Sequence, residues 1–166
     1  MNEIIIGFSR PNGWFEPFSW LIRLMDDSSF SHTYIKYYNN YSARWIILQA
    51  SGLEVNIIGE TAFNIKENII KEFAIPISDA QKLKTVQFGI DNLGVPYGLK
   101  HIIGIVIVKF ANLFGKRIAN PFPEAGTMVC SELVAYALNE IILPTDTINF
   151  ETATPTDVYN YLAARF

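Results

Sequence analysis

One thiol and two imidazoles carry most of this chain's capacity for nucleophilic and proton-transfer chemistry. The single cysteine, Cys130, lies in Thr127-Met-Val-Cys130-Ser-Glu-Leu-Val-Ala-Tyr-Ala-Leu138, where an apolar pattern of helical period begins. That places the sulfur in a first helical turn, where unpaired N–H groups and the positive dipole end favour thiolate over thiol. Both histidines, His32 and His101, precede it. A nucleophilic Cys130 must therefore take its base from earlier in the chain. Thiol hydrolysis needs a sulfur, an imidazole to carry its proton and a polar group to orient that imidazole. Cys130 and His32 are the candidates for the first two.

The third follows from strand register. Residues 31–38 and 43–50 are rich in Tyr, Ile and Trp, and Asn39-Asn-Tyr-Ser42 between them has turn chemistry. A symmetric hairpin closed by a two- or four-residue loop centred there sets His32 directly opposite Gln49. Cross-strand partners share a face, so the Gln49 amide can hold one ring nitrogen and leave the other for the thiol. A one-residue slip would break the pairing. Each residue also has a structural reading. Free cysteines are among the most buried side chains, a strand-end histidine can simply cap, and Gln49 can be an ordinary hairpin residue.

Other elements supply the frame. Ile4–Phe8 reads as a buried strand, and Ser9-Arg-Pro-Asn-Gly13 as a turn. Pro17 begins a helix reaching about Met25, and the aromatic cluster Trp14, Phe15, Phe18 and Trp20 either packs on the core or walls a substrate site. Glu54–Ile58 and Glu72–Ile77 are further strands with an unassigned connector. Ser78 and Gln81 have capping-box spacing, with Leu83, Val86, Ile90 and Leu93 at helical spacing and Gly94 as the stop. Residues 101–114 are ambiguous, β-branched first and helix-like later. Thr154-Pro155-Thr-Asp157 starts a last helix. The order predicts an α+β fold with a central antiparallel sheet packed by helices.

The bulk numbers set limits. A chain of 166 residues, half of them hydrophobic and 14% aromatic, suits one domain over residues 1–166. The net charge of −3 and the lack of a basic block argue against nucleic acid as a partner. One cysteine can form neither an internal disulfide nor a multi-cysteine zinc site, and no cofactor is implied. His101 reads as structural or as a rim residue, and Glu132 as a helix hydrogen-bond partner. Ile102–Val108 is too short to span a bilayer, so no integral membrane segment is expected; it reads as a buried core segment, with membrane-surface contact as the alternative. The start, Met1-Asn-Glu-Ile-Ile-Ile-Gly, lacks signal-peptide features, and the expectation is a cytoplasmic protein or one delivered outward without a signal. Nothing in the sequence sets the oligomeric state.

In motif order the chain resembles the NlpC/P60 superfamily of papain-like thiol hydrolases. Leu93-Gly-Val-Pro-Tyr97 and Cys130-Ser-Glu-Leu-Val134 are similar to its helix-end and cysteine motifs. The histidine precedes the cysteine, as in the circularly permuted branch of YiiX-, YaeF- and LRAT-like proteins. Phe30-Ser-His32-Thr-Tyr-Ile35, Leu48-Gln-Ala50 and Thr154-Pro-Thr-Asp157 resemble that branch's histidine strand, following strand and late turn. The resemblance implies Cys130 as nucleophile, His32 as base, Gln49 as third polar residue and Tyr97 as a lining residue. Trp14 joins Tyr97 as a candidate substrate contact. It implies hydrolysis of an amide bond, with cell-wall-type peptides as the substrate class. A lipid esterase or acyltransferase, acting on a lipid-like acyl group, is the alternative enzyme, and a non-catalytic module that kept the fold is the alternative outside enzymes. Three departures stand out. The third residue is Gln where YiiX-like members commonly have an acid, Val129 replaces the Asp that often precedes the cysteine, and the stretch from Tyr97 to Cys130 is long and apolar.

Overall fold

The computed structural model describes residues 3–13, 19, 20, 22, 23, 27–143, 148, 149 and 152–166. Five strands, β1 (Glu3–Pro11), β2 (His32–Asn39), β3 (Arg44–Ser51), β4 (Glu54–Gly59) and β5 (Glu67–Pro76), form an antiparallel sheet in the order β4-β3-β2-β1-β5. Among the described residues, helices α1 (Glu60–Lys66), α2 (Asp79–Asp91), α3 (Leu99–Leu113), α4 (Cys130–Ala137) and α5 (Pro155–Ala163) accompany it, and a π-helical turn (Leu138–Ile142) continues α4. The architecture is α+β, as the element order predicts. β5 begins five residues before the expected Glu72, and the unassigned connector is α1.

Alternation decides what each sheet face buries. Ile4, Ile6 and Phe8 of β1, Ile35 of β2, Leu48 of β3 and Ile75 of β5 lie in one core with Leu133, Val134 and Leu138 of the α4 region and Val158 and Leu162 of α5. The opposite face is thinner. Tyr34 and Ile47 pack there against Phe63 of α1. Tyr34 lies across Gly7, where a Cβ would stand only 2.1 Å from its Cζ. Its hydroxyl donates to Glu72 at 2.8 Å, and Lys36 Nζ bonds both Glu60 (2.8 Å) and Glu72 (2.9 Å).

Two sequence expectations need correction and one ambiguity is resolved. The hairpin loop is residues 40–43, one position later than expected, because Asn39 Oδ1 accepts the N–H groups of Tyr41 and Ser42 while Asn39 itself pairs with Arg44. Ile35 consequently faces Leu48, and His32 and Gln49 are diagonal neighbours rather than directly opposed. A shift of two positions keeps both on the same face, so long side chains still meet. Second, Leu83, Ile90 and Leu93 are exposed. The buried residues of α2 are Thr85 and Gly89, because a side chain at Gly89 would meet Leu48 at 2.7 Å. Small residues let this helix approach the sheet closely. Third, residues 99–113 are continuously helical despite their β-branched start. Tertiary burial of Ile102, Ile105 and Val108 overrides the local preference.

The Ser78–Gln81 and Thr154–Asp157 capping boxes are both formed. Of the 17–25 helix, Ser19, Trp20, Ile22 and Arg23 are helical, and Pro17, Phe18, Leu21 and Met25 lie outside the described residues. Trp14 and Phe15 also lie outside them, and Trp20 is exposed. No described helix is long and apolar enough to cross a membrane.

Candidate functional site

A backbone clasp positions Tyr97 and Cys130. The Gly94-Val-Pro-Tyr97 segment runs beside the start of β4, with Val55 N–H bonded to Val95 O and Tyr97 N–H to Leu53 O, both at 2.8 Å. Met128 N–H then donates to Pro96 O (3.0 Å), and Gly98 N–H to Met128 O (3.4 Å). Two residues beyond Met128, Cys130 opens α4. Val129 offers no capping oxygen, but the Glu132 carboxylate accepts its N–H at 3.3 Å, and Ser131 Oγ donates to Ala153 O at 2.5 Å. Glu132 thus stabilises the helix start.

The sulfur sits at the end of the sheet. The β2–β3 ladder stops at Ile35–Leu48, and the N–H of Thr33, the residue after His32, is directed at Cys130 Sγ. The Tyr97 hydroxyl lies 3.9 Å from the sulfur and donates to it. Cys130 is only 3% exposed, and burial pushes its thiol above the ordinary range. The N–H groups of Thr33, Ser131 and Cys130 itself and the Tyr97 hydroxyl pull the other way without prevailing. This overturns the expectation of a resting thiolate: desolvation of a charge outweighs the helix terminus. Burial likewise holds the Tyr97 hydroxyl well above its ordinary range, so it stays a donor.

The imidazole is held by a directional chain. Asn56 Nδ2 donates to two carbonyls, Ser51 O (3.2 Å) and Glu54 O (3.1 Å), which can only accept. Its Oδ1 therefore faces Gln49 Nε2 at 3.2 Å, and Gln49 Oε1 faces His32 Nε2 at 2.9 Å. Assigning donors along this chain puts the ring proton on Nε2 and leaves Nδ1 with its lone pair. Burial lowers the His32 pKa, while Glu67 and the Gln49 bond raise it. The resting pair is a neutral thiol and a neutral imidazole.

Glu67 is the residue that sequence reasoning missed. Its carboxylate accepts Ser9 Oγ at 2.8 Å, and its charge acts on His32. Strand pairing carries it there. β1 pairs with β2 on one side and β5 on the other, so Ser9 faces both His32 and the start of β5. Local sequence has no signal for so long-range a meeting.

His32, Tyr97 and Glu67 line a cleft of about 570 Å³ together with Ser31, Ser51 and Leu99. Ile22 and Ile102 continue from it into a narrow apolar pocket that touches Cys130 and Ser131. A cavity of about 520 Å³ between α3 and α5, containing the Lys109–Asp157 pair, holds none of Cys130, His32 or Tyr97. His101 is buried on the inner side of α3, outside the cleft lining.

No protein-family model and no curated protein matches the sequence. Among solved structures, the metalloprotein YiiX from Escherichia coli O157:H7 superposes with a TM-score of 0.59 at 18% identity, covering 96% of this chain and 78% of that one. The fold is similar to that of YiiX. YiiX-like proteins are part of the permuted branch that the sequence motifs resemble. Among the described residues, no three His, Cys, Asp or Glu side chains are grouped to hold an ion.

Proposed function

We propose that the protein is a cysteine-dependent hydrolase of papain-like, permuted NlpC/P60 type that cleaves an amide bond, with cell-wall-type peptides as its substrate class. The observation supporting this reading is that the Tyr97 hydroxyl and the N–H of Thr33, the residue next to His32, both meet the Cys130 sulfur, while Gln49 holds the His32 ring. Cys130 attacks the carbonyl carbon as its proton passes to His32 Nδ1. The Tyr97 hydroxyl and the N–H groups around the sulfur stabilise the negative oxygen that forms. Collapse breaks the C–N bond, and His32 returns the proton to the leaving amine. Water, deprotonated by the same nitrogen, then releases the acid and restores the thiol. Gln49 keeps the ring oriented, and Glu67 supports the transient imidazolium.

An acyl ester with an apolar chain is a second reading. It is favoured by the apolar cleft walls Ile22, Ile65, Leu99 and Ile102. A panel of muropeptides, short-chain esters and phospholipids separates the two. Cys130→Ala and His32→Ala should each lower kcat/KM on the cleaved substrate by about 10³-fold or more. A wild-type protein no more active than Cys130→Ala on every substrate ends the enzymatic reading and leaves a binding module.

A further inference from the structure

Helix α3 is apolar on both sides. Its inner face, Ile102, Ile105 and Val108, is buried, but Leu99, Ile103, Ile107, Phe110 and Leu113 are exposed, as is Phe114 just beyond its end. At 3.6 residues per turn these six side chains form a single stripe along the outside of the helix. Phe110 and Phe114 pack edge to face with ring centroids 5.1 Å apart, which extends the stripe past the last turn. The charge beside it is one-sided. Between Asp91 and Glu124 the chain has no acidic residue, whereas Lys100, Lys116 and Arg117 are exposed at the two ends of the helix. In a chain of net charge −3 this is a local reversal of sign.

We propose that the outer face of α3 docks in the plane of a lipid bilayer carrying anionic headgroups. Apolar side chains in one stripe with cations at its borders match an interfacial helix, in which the stripe enters the acyl boundary while Lys and Arg meet phosphate. A fifteen-residue helix is too short to span, and its inner face is already committed to the protein core. Charge argues against a second copy of this chain as the occupant. A two-fold pairing of the stripe would bring the same three cations together, and residues 92–123 carry no acid to offset them. Because Leu99 and Ile102 also wall the cleft beside His32, docking would bring the cleft mouth to the headgroup layer.

The test is vesicle flotation of the full chain with phosphatidylcholine alone and with about 30 mol% phosphatidylglycerol added, which supplies the negative surface potential. The protein should float with the anionic vesicles and dissociate as salt is raised. Ile107→Gln with Phe110→Gln should reduce binding about tenfold or more through lost apolar burial, and Lys116→Gln with Arg117→Gln should abolish the preference for anionic lipid. All four positions are exposed, so thermal melts should match wild type. The proposal is overturned if wild type stays unbound with anionic vesicles. It is also overturned if the variants float as wild type does, or if light scattering shows a dimer that the apolar variant dissociates. Cys130→Ala should bind like wild type, and turnover of soluble substrates does not enter the readout. Membrane docking and thiol chemistry therefore fail separately.

Discussion

Gln49 does with a neutral amide what a carboxylate does in an acid-bearing site. It holds the His32 ring at 2.9 Å and fixes its tautomer but adds no charge. With burial dominant, the imidazole stays below its ordinary value of 6.5. Gln49→Glu supplies a charged acceptor, which raises the ring pKa. With His32 as the proposed base, the acidic limb of kcat/KM should then move upward by about one pH unit, because an unprotonated ring is needed to accept the thiol proton. Asn56→Ala leaves His32 in place but frees Gln49 to turn its Nε2 toward the ring. The expected signature is a fall in kcat of about tenfold or more with KM little changed, since the tautomer and not the cleft is disturbed. The pair His32–Gln49 was legible because hairpin faces alternate and a two-residue register error does not change the face. Glu67 was not, because it depends on a strand arriving from elsewhere, and Asn56 was not, because its place opposite Gln49 rests on the register of the adjacent β3–β4 hairpin. The resting charge of Cys130 was misread because the depth of burial at a helix start has no local sequence signal.

At the scale of elements, small residues set the distances that larger ones exploit. Tyr34 reaches Glu72 only by crossing Gly7. Gly7→Ala must displace a fully buried ring and break that bond, and should cost about 2–3 kcal/mol or more in urea unfolding, as overpacking does. Leu83→Ala, on the exposed side of α2, should change stability by less than about 0.5 kcal/mol. The two variants together test the observed faces against the naive apolar pattern of that helix. Capping boxes, strand alternation and the order of elements were readable directly, because each is a local rule about orphan N–H groups or side-chain period. The face of α2 was not, because close approach to Leu48 outweighs the pull of its apolar residues toward the core. The sequence left α3 open between core and membrane surface for the opposite reason: a segment apolar all round does not say which face is covered until its neighbours are known.

For the whole molecule, the shifted groups define a pH window of stability. His32 titrates below 6.5 when folded, so the unfolded chain binds more protons in that range, and the stability present above 6.5 is lost as pH falls through the folded value. Cys130 titrates above its ordinary 9.0, so its contribution is full below 9.0 and disappears as pH rises through the folded value. Tyr34, Tyr37 and Tyr97 act in the same direction on the alkaline side. Melting temperature should therefore plateau near neutrality and fall on both sides. Cys130→Ala should flatten the alkaline fall and leave the acidic one intact.

The bridge between Tyr97 and Met128 has a further consequence. Everything from Gly98 to Thr127 leaves the sheet and returns to it at one pinned doorway, closed by main-chain bonds that do not depend on side-chain identity. Phenol and sulfur keep their spacing whatever the outer surface of that excursion carries. On the proposed docking, changes there would alter membrane attachment without moving the Tyr97 hydroxyl from the Cys130 sulfur, so the two properties could diverge independently.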